Sequence, residues 1–325
     1  MKKVLSAIFI IIILAMIPVG ILKYDNYKNP TVYQTEEIVQ EEIDEKEGMR
    51  ITMLGGSNMK DKGDTNSMGF FIRTNKDTLI AVDGGNPSDA PLLKKYIDNY
   101  GNGKVDYWFI THAHEDHCGG LVELLKSYDI EIENLVYSFN SREWYEINDS
   151  RGKDSEIAML DSLSNPKIKN KIECFEDQKI EIDNIECDII RVANPEIVNS
   201  DNGNEASMVF KLTAKDVDKS MIFLGDAYVK ASEELAEKKE RLSSYAVQMA
   251  HHGQNGVTEE IYDFIKPTIC FFNCPEWLYN NDGGNGYNTG KWKTIEVLEW
   301  MKKYNTTNYV AYNGDVQVQL YSLRK

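Results

Sequence analysis

The chain has 325 residues, of which 42% are hydrophobic and 10% aromatic, and its formal net charge is −16. This composition is typical of a globular protein with a buried core, and the negative charge argues against a general basic surface for nucleic acid. The five cysteines include no Cys-x-x-Cys pair, which argues against a full disulfide framework.

The N-terminal part of the chain predicts a membrane anchor followed by a spacer. Residues 4–22 carry no charge and are numerous enough to cross a bilayer as a helix, and the basic head before them predicts an inside N-terminus. A cleaved signal peptide is the alternative. We therefore expect the bulk of the chain outside the cytoplasm, at the cell membrane or secreted. The predicted segments are a transmembrane anchor or signal segment over 1–23, an acidic stalk over 24–48 and a globular domain over 49–325.

The globular domain opens with alternating strands and helices, which indicates stacked α/β layers. Strands predicted over 67–73 and 78–82 are followed by Asp83 and two glycines, a combination typical of a turn. A helix over 91–100 and a β-branched, aromatic strand over 105–110 come next.

The densest motif follows that strand and contains His112, His114, Asp116 and His117. Only five histidines occur in the chain, and the remaining two are adjacent to each other. Imidazole is the most common nitrogen ligand of zinc in proteins, so the pattern predicts a metal centre between the strand and a helix that begins at Gly119. Since residues two apart in an extended segment point the same way, His112 and His114 are predicted to bind one metal, and Asp116 and His117 a second.

The His-x-His-x-Asp-His run after a strand resembles the signature of metallo-β-lactamase-fold hydrolases. The resemblance implies a four-layer αββα sandwich, here behind the N-terminal transmembrane helix. It also implies that Asp83 is the outer carboxylate that orients a ligand histidine, a partner that metal sites generally require.

Asn204 and Ser207 stand before an apolar strand, at about the place where the superfamily has a third histidine for its first metal. This chain has none there. In that respect it resembles the branch typified by the hydrolase domain of ComEC-type competence proteins. The absence leaves the completeness of the first metal site open, and a turn with a strand start is the alternative interpretation of both residues.

The second half of the predicted centre comprises Asp226, His251 and His252. Asp226 directly follows an apolar strand, where an unpaired buried charge would be costly, and the resemblance implies that it bridges two cations. The pair at 251 and 252 resembles the His-His-Gly element of the same branch. We expect His251 to be a ligand and His252 a nearby donor, although the sequence does not separate them.

The C-terminal third of the chain predicts further layers of the same kind. A helix is predicted over 229–242 and another over 259–265, and residues 310–321 predict a closing hairpin with Asn313-Gly314 as its turn.

Together these residues predict a membrane-tethered, metal-dependent hydrolase that uses a metal-activated water, with Asp116, Asp226 and His252 as its catalytic groups. Two zinc ions are expected, with manganese as an alternative. The resemblance favours a phosphodiester substrate, small or polymeric and anionic, without a stable nucleic-acid complex. The alternatives are ester or lactone hydrolysis by the same fold and a non-catalytic metal-binding surface protein.

Overall fold

The computed structural model describes residues 47–56, 66–198 and 202–321, within a compact unit that spans Asp44–Lys325. These residues form two sheets packed face to face with helices on both outer faces, which confirms the predicted αββα layers. The predicted span over 4–22 lies outside the described residues, and the helices that are described are too short or too polar to cross a membrane.

The first sheet contains both ends of the described chain. Its strands are β1 (Met49–Met53), β2 (Phe70–Arg73), β3 (Leu79–Val82), β4 (Lys104–Ile110), β5 (Glu131–Tyr137), β6 (Ile168–Glu173) and β14 (Val316–Leu320). Their order is β14-β1-β2-β3-β4-β5-β6. The four strands from β3 to β6 are parallel, whereas the pairs β14–β1, β1–β2 and β2–β3 are antiparallel.

The second sheet mirrors this arrangement. Its strands are β7 (Lys179–Ile182), β8 (Ile185–Arg191), β9 (Val209–Ala214), β10 (Lys219–Phe223), β11 (Ala246–Gln248), β12 (Ile269–Phe272) and β13 (Thr307–Val310). Their order is β13-β12-β11-β10-β9-β8-β7, and the four strands from β10 to β13 are parallel.

Helices cover the outer face of each sheet. They are α1 (Ala90–Gly101), α2 (Glu115–Ser127), α3 (Arg142–Asn148), α4 (Lys153–Ser162), α5 (Asn202–Glu205), α6 (Val229–Ala236), α7 (Glu259–Ile265), α8 (Glu276–Tyr279) and α9 (Thr294–Met301). The apolar sides of α1 and α2 pack on the first sheet, and those of α6, α7 and α9 pack on the second.

The strand alternation of β4 shows how the layers are built. Phe109 faces the second sheet and stacks on Phe210 with 4.8 Å between ring centroids, whereas Trp108 and Ile110 face the helices. Successive side chains of a strand point to opposite faces, so this buried strand fills two layers and delivers the histidine run to its carboxyl end.

Two predicted helix boundaries and one predicted strand pairing differ from the structure. The helix expected at Gly119 begins at Glu115, because acidic residues of the run are favourable in a first helical turn. The helix expected over 229–242 ends at Ala236. The predicted closing hairpin is wrong, since β13 pairs with β12 and β14 pairs with β1 in the other sheet; a local turn signal does not specify the partner strand.

Candidate metal centre

The predicted site residues lie in four loops at the carboxyl ends of parallel strands. Asp83 follows β3 and residues 112–117 follow β4; Asp226 follows β10, and His251 and His252 follow β11. Ligands of α/β sheets characteristically bind at this edge. The two histidine patches, far apart in sequence, meet there, with 5.2 Å between the ring centroids of His117 and His252.

His117 lies between two carboxylates. Its Nδ1 donates to Asp83 Oδ2 at 2.8 Å, and its Nε2 lies 3.0 Å from Asp226 Oδ1. Asp83 also accepts from the backbone N–H of Thr111 at 2.8 Å, which fixes the carboxylate. Burial lowers the pKa of His117, but the charges of Asp226 and Asp83 outweigh it and raise the pKa well above its usual value. The pocket therefore strongly attracts positive charge.

His252 occupies the equivalent position on the second sheet. Its Nδ1 donates to the main-chain oxygen of Asn273 at 2.8 Å, and its Nε2 lies 3.0 Å from Asp116 Oδ2 and 3.5 Å from Asp226 Oδ2. Burial lowers the pKa of His252, yet the two carboxylates outweigh it and raise the pKa to about 9. Burial also opposes ionisation of Asp116, but the nearby imidazoles of His252 and His117 hold the pKa of Asp116 below its usual range.

Several buried ligand atoms at the centre have no hydrogen-bond partner among the described residues. They are the Nε2 atoms of His112, His117 and His252 and the Oδ1 atom of Asp226. Buried polar atoms are normally satisfied, and burial keeps the imidazole of His112 neutral by holding its pKa well below the usual value. Unsatisfied lone pairs of imidazole and carboxylate that face one another fit a divalent cation.

Two sets of ligand atoms lie within 4.8 Å of one another at this place, namely His112, His117 and Asp226, and Asp116, His117 and His252. His114, predicted to bind the same metal as His112, directs its Nε2 toward Asp149 Oδ2 at 2.9 Å, while its ring centroid lies 4.7 Å from that of His112.

The two adjacent histidines differ in burial and in their distances from the carboxylates. His252, expected to be a donor, is wholly buried against Asp116, whereas the Nε2 of His251, expected to be a ligand, lies 3.8 Å from Asp226 Oδ2. His251 donates from Nδ1 to the main-chain oxygen of Asn255 at 2.7 Å. Both histidines have positive φ angles, 50° and 59°, a conformation that is uncommon outside glycine and concentrates at functional sites.

Asn204 and Ser207 contact the centre from its side. The Asn204 amide lies 3.5 Å from His251 Nε2, and the Ser207 hydroxyl accepts from the backbone N–H of Asp226 at 3.0 Å. The serine thus fixes the turn that carries Asp226, and Asn204 lies against His251 in the next loop of the second sheet.

Sequence reasoning missed Gln248, which joins the two loops of the second sheet. Its Oε1 accepts from the backbone N–H groups of Leu224 and Gly225 at 2.9 and 2.8 Å, and its Nε2 donates to the main-chain oxygens of Gly225 and Met249. The available signal was a glutamine at the end of an apolar strand, shortly before the histidine pair.

It also missed Asp149 and Glu156, which surround His114. Glu156 is fully buried, and its Oε1 lies 3.8 Å from His114 Nε2. Burial, with a smaller contribution from Asp149, raises the pKa of Glu156 to about 9. Neither carboxylate stands in a recognisable motif, so no local signal identified them.

A cavity of about 280 Å³ opens onto the centre. The residues that line it include His114, Asp116, Asp226, His251 and Arg151, the last of which is a cationic side chain at an otherwise acidic mouth. The centre is therefore accessible to a small substrate or to one residue of a polymer.

Comparison with known proteins agrees with the fold and the motif. Residues 63–137, which include Asp83 and the histidine run, match the family described as the metallo-beta-lactamase superfamily. The metallo-β-lactamase-fold protein YhfI from Bacillus subtilis superposes over 84% of this chain and 100% of its own, with a TM-score of 0.51 and 10% identity.

The chain has the metallo-β-lactamase fold. A divalent-metal site is implied by that fold, and the unsatisfied ligand atoms fit it. The ComEC-type branch stays a prediction.

Two curated relatives match about the same length of sequence. Ribonuclease J of Mycoplasma pneumoniae is 31% identical over 100 residues, which are 30% of this chain and 16% of the relative. Ribonuclease Z of Haloarcula marismortui is 31% identical over 96 residues, which are 29% of this chain and 26% of the relative. This metallo-β-lactamase-fold chain thus aligns with only a minor part of either ribonuclease.

Proposed function

We propose that the chain is a metal-dependent hydrolase of phosphodiester bonds. The observation that carries the proposal is the convergence of His112, His117, His252, Asp116 and Asp226 below an open cavity, with buried lone pairs that lack partners. Asp226 would lie between two cations, of which zinc is the expected metal and manganese the alternative. His252 takes the ligand role that the sequence assigned to His251.

The residues around the proposed cation have separate roles. A divalent cation held there would supply Lewis acidity and a water of lowered pKa as nucleophile. Asp116 is ionised near neutral pH, since its pKa lies below the usual range, and 26% of its side chain is exposed; its carboxylate can accept a hydrogen bond from the attacking water and orient it at the cavity. Asp83 holds the ring of His117, and His251 faces the cavity beside Asp226.

Two observations support a phosphodiester as the substrate. The aligned relatives are both named ribonucleases, and the residues that line the cavity include Arg151, whose guanidinium group is a good partner for phosphate. We propose that the substrate is anionic and either small or polymeric. We also propose that the chain belongs to the ComEC-type branch, as the missing third histidine favours.

The test is a substrate panel with the full-length chain loaded with zinc or manganese. We expect turnover of bis-p-nitrophenyl phosphate that stops on chelation and returns with metal. Turnover of a lactone or p-nitrophenyl ester alone would select the ester-hydrolase alternative. Bound metal without any turnover would select a non-catalytic metal-binding protein.

We also propose that residues 4–22 tether the hydrolase to the membrane, with the centre outside the cytoplasm. The support is the uncharged, bilayer-length sequence alone. The expected result is recovery in the membrane fraction and digestion of the hydrolase domain by protease added to intact spheroplasts. Recovery in the soluble cell fraction would contradict it.

A further inference from the structure

His114 lies beside two carboxyl groups, Asp149 and Glu156, that are separate from those around His117 and His252. Its Nε2 faces Asp149 Oδ2 at 2.9 Å, and the second oxygen of Asp149 accepts from the backbone N–H groups of Arg151 and Gly152, each at 2.9 Å. Glu156 lies behind this pair, fully buried, and neither of its oxygens has a hydrogen-bond partner among the described residues. The ligand atoms of His114, Asp149 and Glu156 lie within 4.8 Å of one another.

This spacing alone would suit a further cation, but Gly203 occupies the place. A cation bound by all three atoms would lie roughly 2.0–2.2 Å from each of them. A Cβ added to Gly203 would lie 2.1 Å from His114 Nε2, 2.2 Å from Asp149 Oδ2 and 2.7 Å from Glu156 Oε1. That point is one covalent bond, about 1.5 Å, from the Gly203 Cα. The backbone of α5 therefore fills the position that a cation would need.

We propose that Asp149, Glu156 and the Gly203 backbone form a positioning unit that fixes His114 as a ligand of the first cation, where the chain lacks a third histidine. The inference rests on the proposed function. A neutral imidazole has one donor and one acceptor nitrogen, so donation from Nε2 to Asp149 leaves the Nδ1 lone pair for the cation. An outer carboxylate also raises the basicity of the ligand it holds.

The missing histidine explains why such a unit is useful. A cation with fewer protein ligands depends more on each one, and a ring that is already locked loses less conformational freedom on binding. Gly203 stands in the segment directly before Asn204, so the chain replaces an imidazole from this loop by a backbone that packs against His114 and closes the space behind it. Glu156 supports Asp149 from the buried side.

The test is titration of the metal-free, full-length chain with Co²⁺, whose ligand-field spectrum reports coordination without turnover. We expect Asp149→Asn to weaken Co²⁺ binding at the first site by about 10- to 100-fold and to change its spectrum. Glu156→Gln, which keeps the shape of the side chain, should retain the full Co²⁺ stoichiometry, because Glu156 supports Asp149 and does not itself bind the cation. Asp183→Asn is the matched control, because Asp183 binds Thr74 at the opposite end of the sheets.

Two results would overturn the inference. One is a wild-type Co²⁺ affinity and spectrum in Asp149→Asn; the other is loss of a whole Co²⁺ equivalent in Glu156→Gln, which would make the cluster a cation site. Should Asp149→Asn fail to fold by circular dichroism, Gly203→Ala provides the same measurement, since its methyl must displace His114 or Asp149. A wild-type chain that binds Co²⁺ but hydrolyses nothing would refute the proposed function and leave the inference standing.

Discussion

The two sheets hold their metal-centre histidines in different ways. On the first sheet, His117 donates to a carboxylate, Asp83. On the second sheet, His252 donates to a main-chain oxygen, that of Asn273. Both partners orient the ring, but only the carboxylate adds a full negative charge, which increases the basicity of the ligand. The charge of Asp83 thus increases the basicity of His117 on the first sheet, whereas the main-chain oxygen of Asn273 mainly orients His252 on the second sheet.

This difference predicts which changes the centre tolerates. A carboxylate partner can be removed by a single substitution, whereas a main-chain partner cannot. The second sheet instead depends on the side chain of Gln248, which joins the loops that carry Asp226 and His252. Substitutions on the first sheet should therefore act on metal affinity, and those in the Gln248 contacts on loop stability.

The largest effect is expected at Asp226, where the two halves meet. Asp226→Ala removes the carboxylate that lies 3.0 Å from His117 and 3.5 Å from His252. Since a bound metal contributes several kcal/mol to catalysis, turnover of bis-p-nitrophenyl phosphate should fall by at least about 1000-fold. Metal analysis should show loss of bound cation, with Asp183→Asn as the control. A variant that keeps its metal and its rate would show that Asp226 is not at the centre.

The next effect separates the adjacent histidines. His252→Ala should remove the second cation and lower turnover by about 100-fold or more, because its Nε2 faces Asp116 from full burial. His251→Ala should keep the metal content and lose less than about 10-fold in rate. Equilibrium dialysis with zinc and steady-state kinetics measure both. A larger loss of metal and rate in His251→Ala than in His252→Ala would support His251 as the ligand, as expected from the sequence.

Asp83→Asn probes the charge on the first sheet. The amide can still accept from His117 but carries no charge, so we expect metal affinity to fall by about 10- to 100-fold with the fold intact. Competition with a chromophoric chelator gives the affinity, and thermal melting gives the stability. An unchanged affinity would mean that the two sheets hold their histidines equivalently.

The sequence predicted the layers and named the residues of the candidate centre because those features depend on local patterns. Buried strands such as β4 end in apolar runs, and the histidine run after β4 follows from residue identity alone. The positions of the His251 and His252 side chains were not predictable, since they depend on positive φ angles at both residues. The partners of His114 were also hidden, because Asp149 and Glu156 reach it only through the packing of α3 and α4 beside α2.

Gln248→Leu tests the contacts of the second sheet. The leucine would leave the N–H groups of Leu224 and Gly225 buried without their acceptor, and an unsatisfied buried group costs roughly 1–3 kcal/mol. Because two such groups lose their acceptor, we expect the free energy of unfolding to fall by about 2–6 kcal/mol, measured by urea titration of the metal-free protein. Gln254→Leu, a change at a glutamine outside these contacts, is the comparison. Equal losses in the two variants would remove the special role of Gln248.

The last prediction is the contribution of Glu156, beside the first sheet, to the pH dependence of stability. Burial, followed by the nearby Asp149, raises the pKa of Glu156 from 4.5 to about 9. Because the folded pKa is the higher one, the folded chain keeps a proton that the unfolded chain releases. The contribution is full below about pH 4.5 and declines as the pH rises to about 9. His114 and Tyr145 also face this carboxyl.

The comparison is with Glu156→Gln, which cannot titrate. Urea unfolding of the metal-free proteins between pH 5 and pH 9 should show the wild type losing stability relative to the variant as the pH rises. A constant difference across this range would mean that Glu156 is already ionised in the folded protein. Glu156 would then carry a negative charge behind His114. The first sheet, where a carboxylate also holds His117, would differ still more in charge from the second sheet, where a main-chain oxygen holds His252.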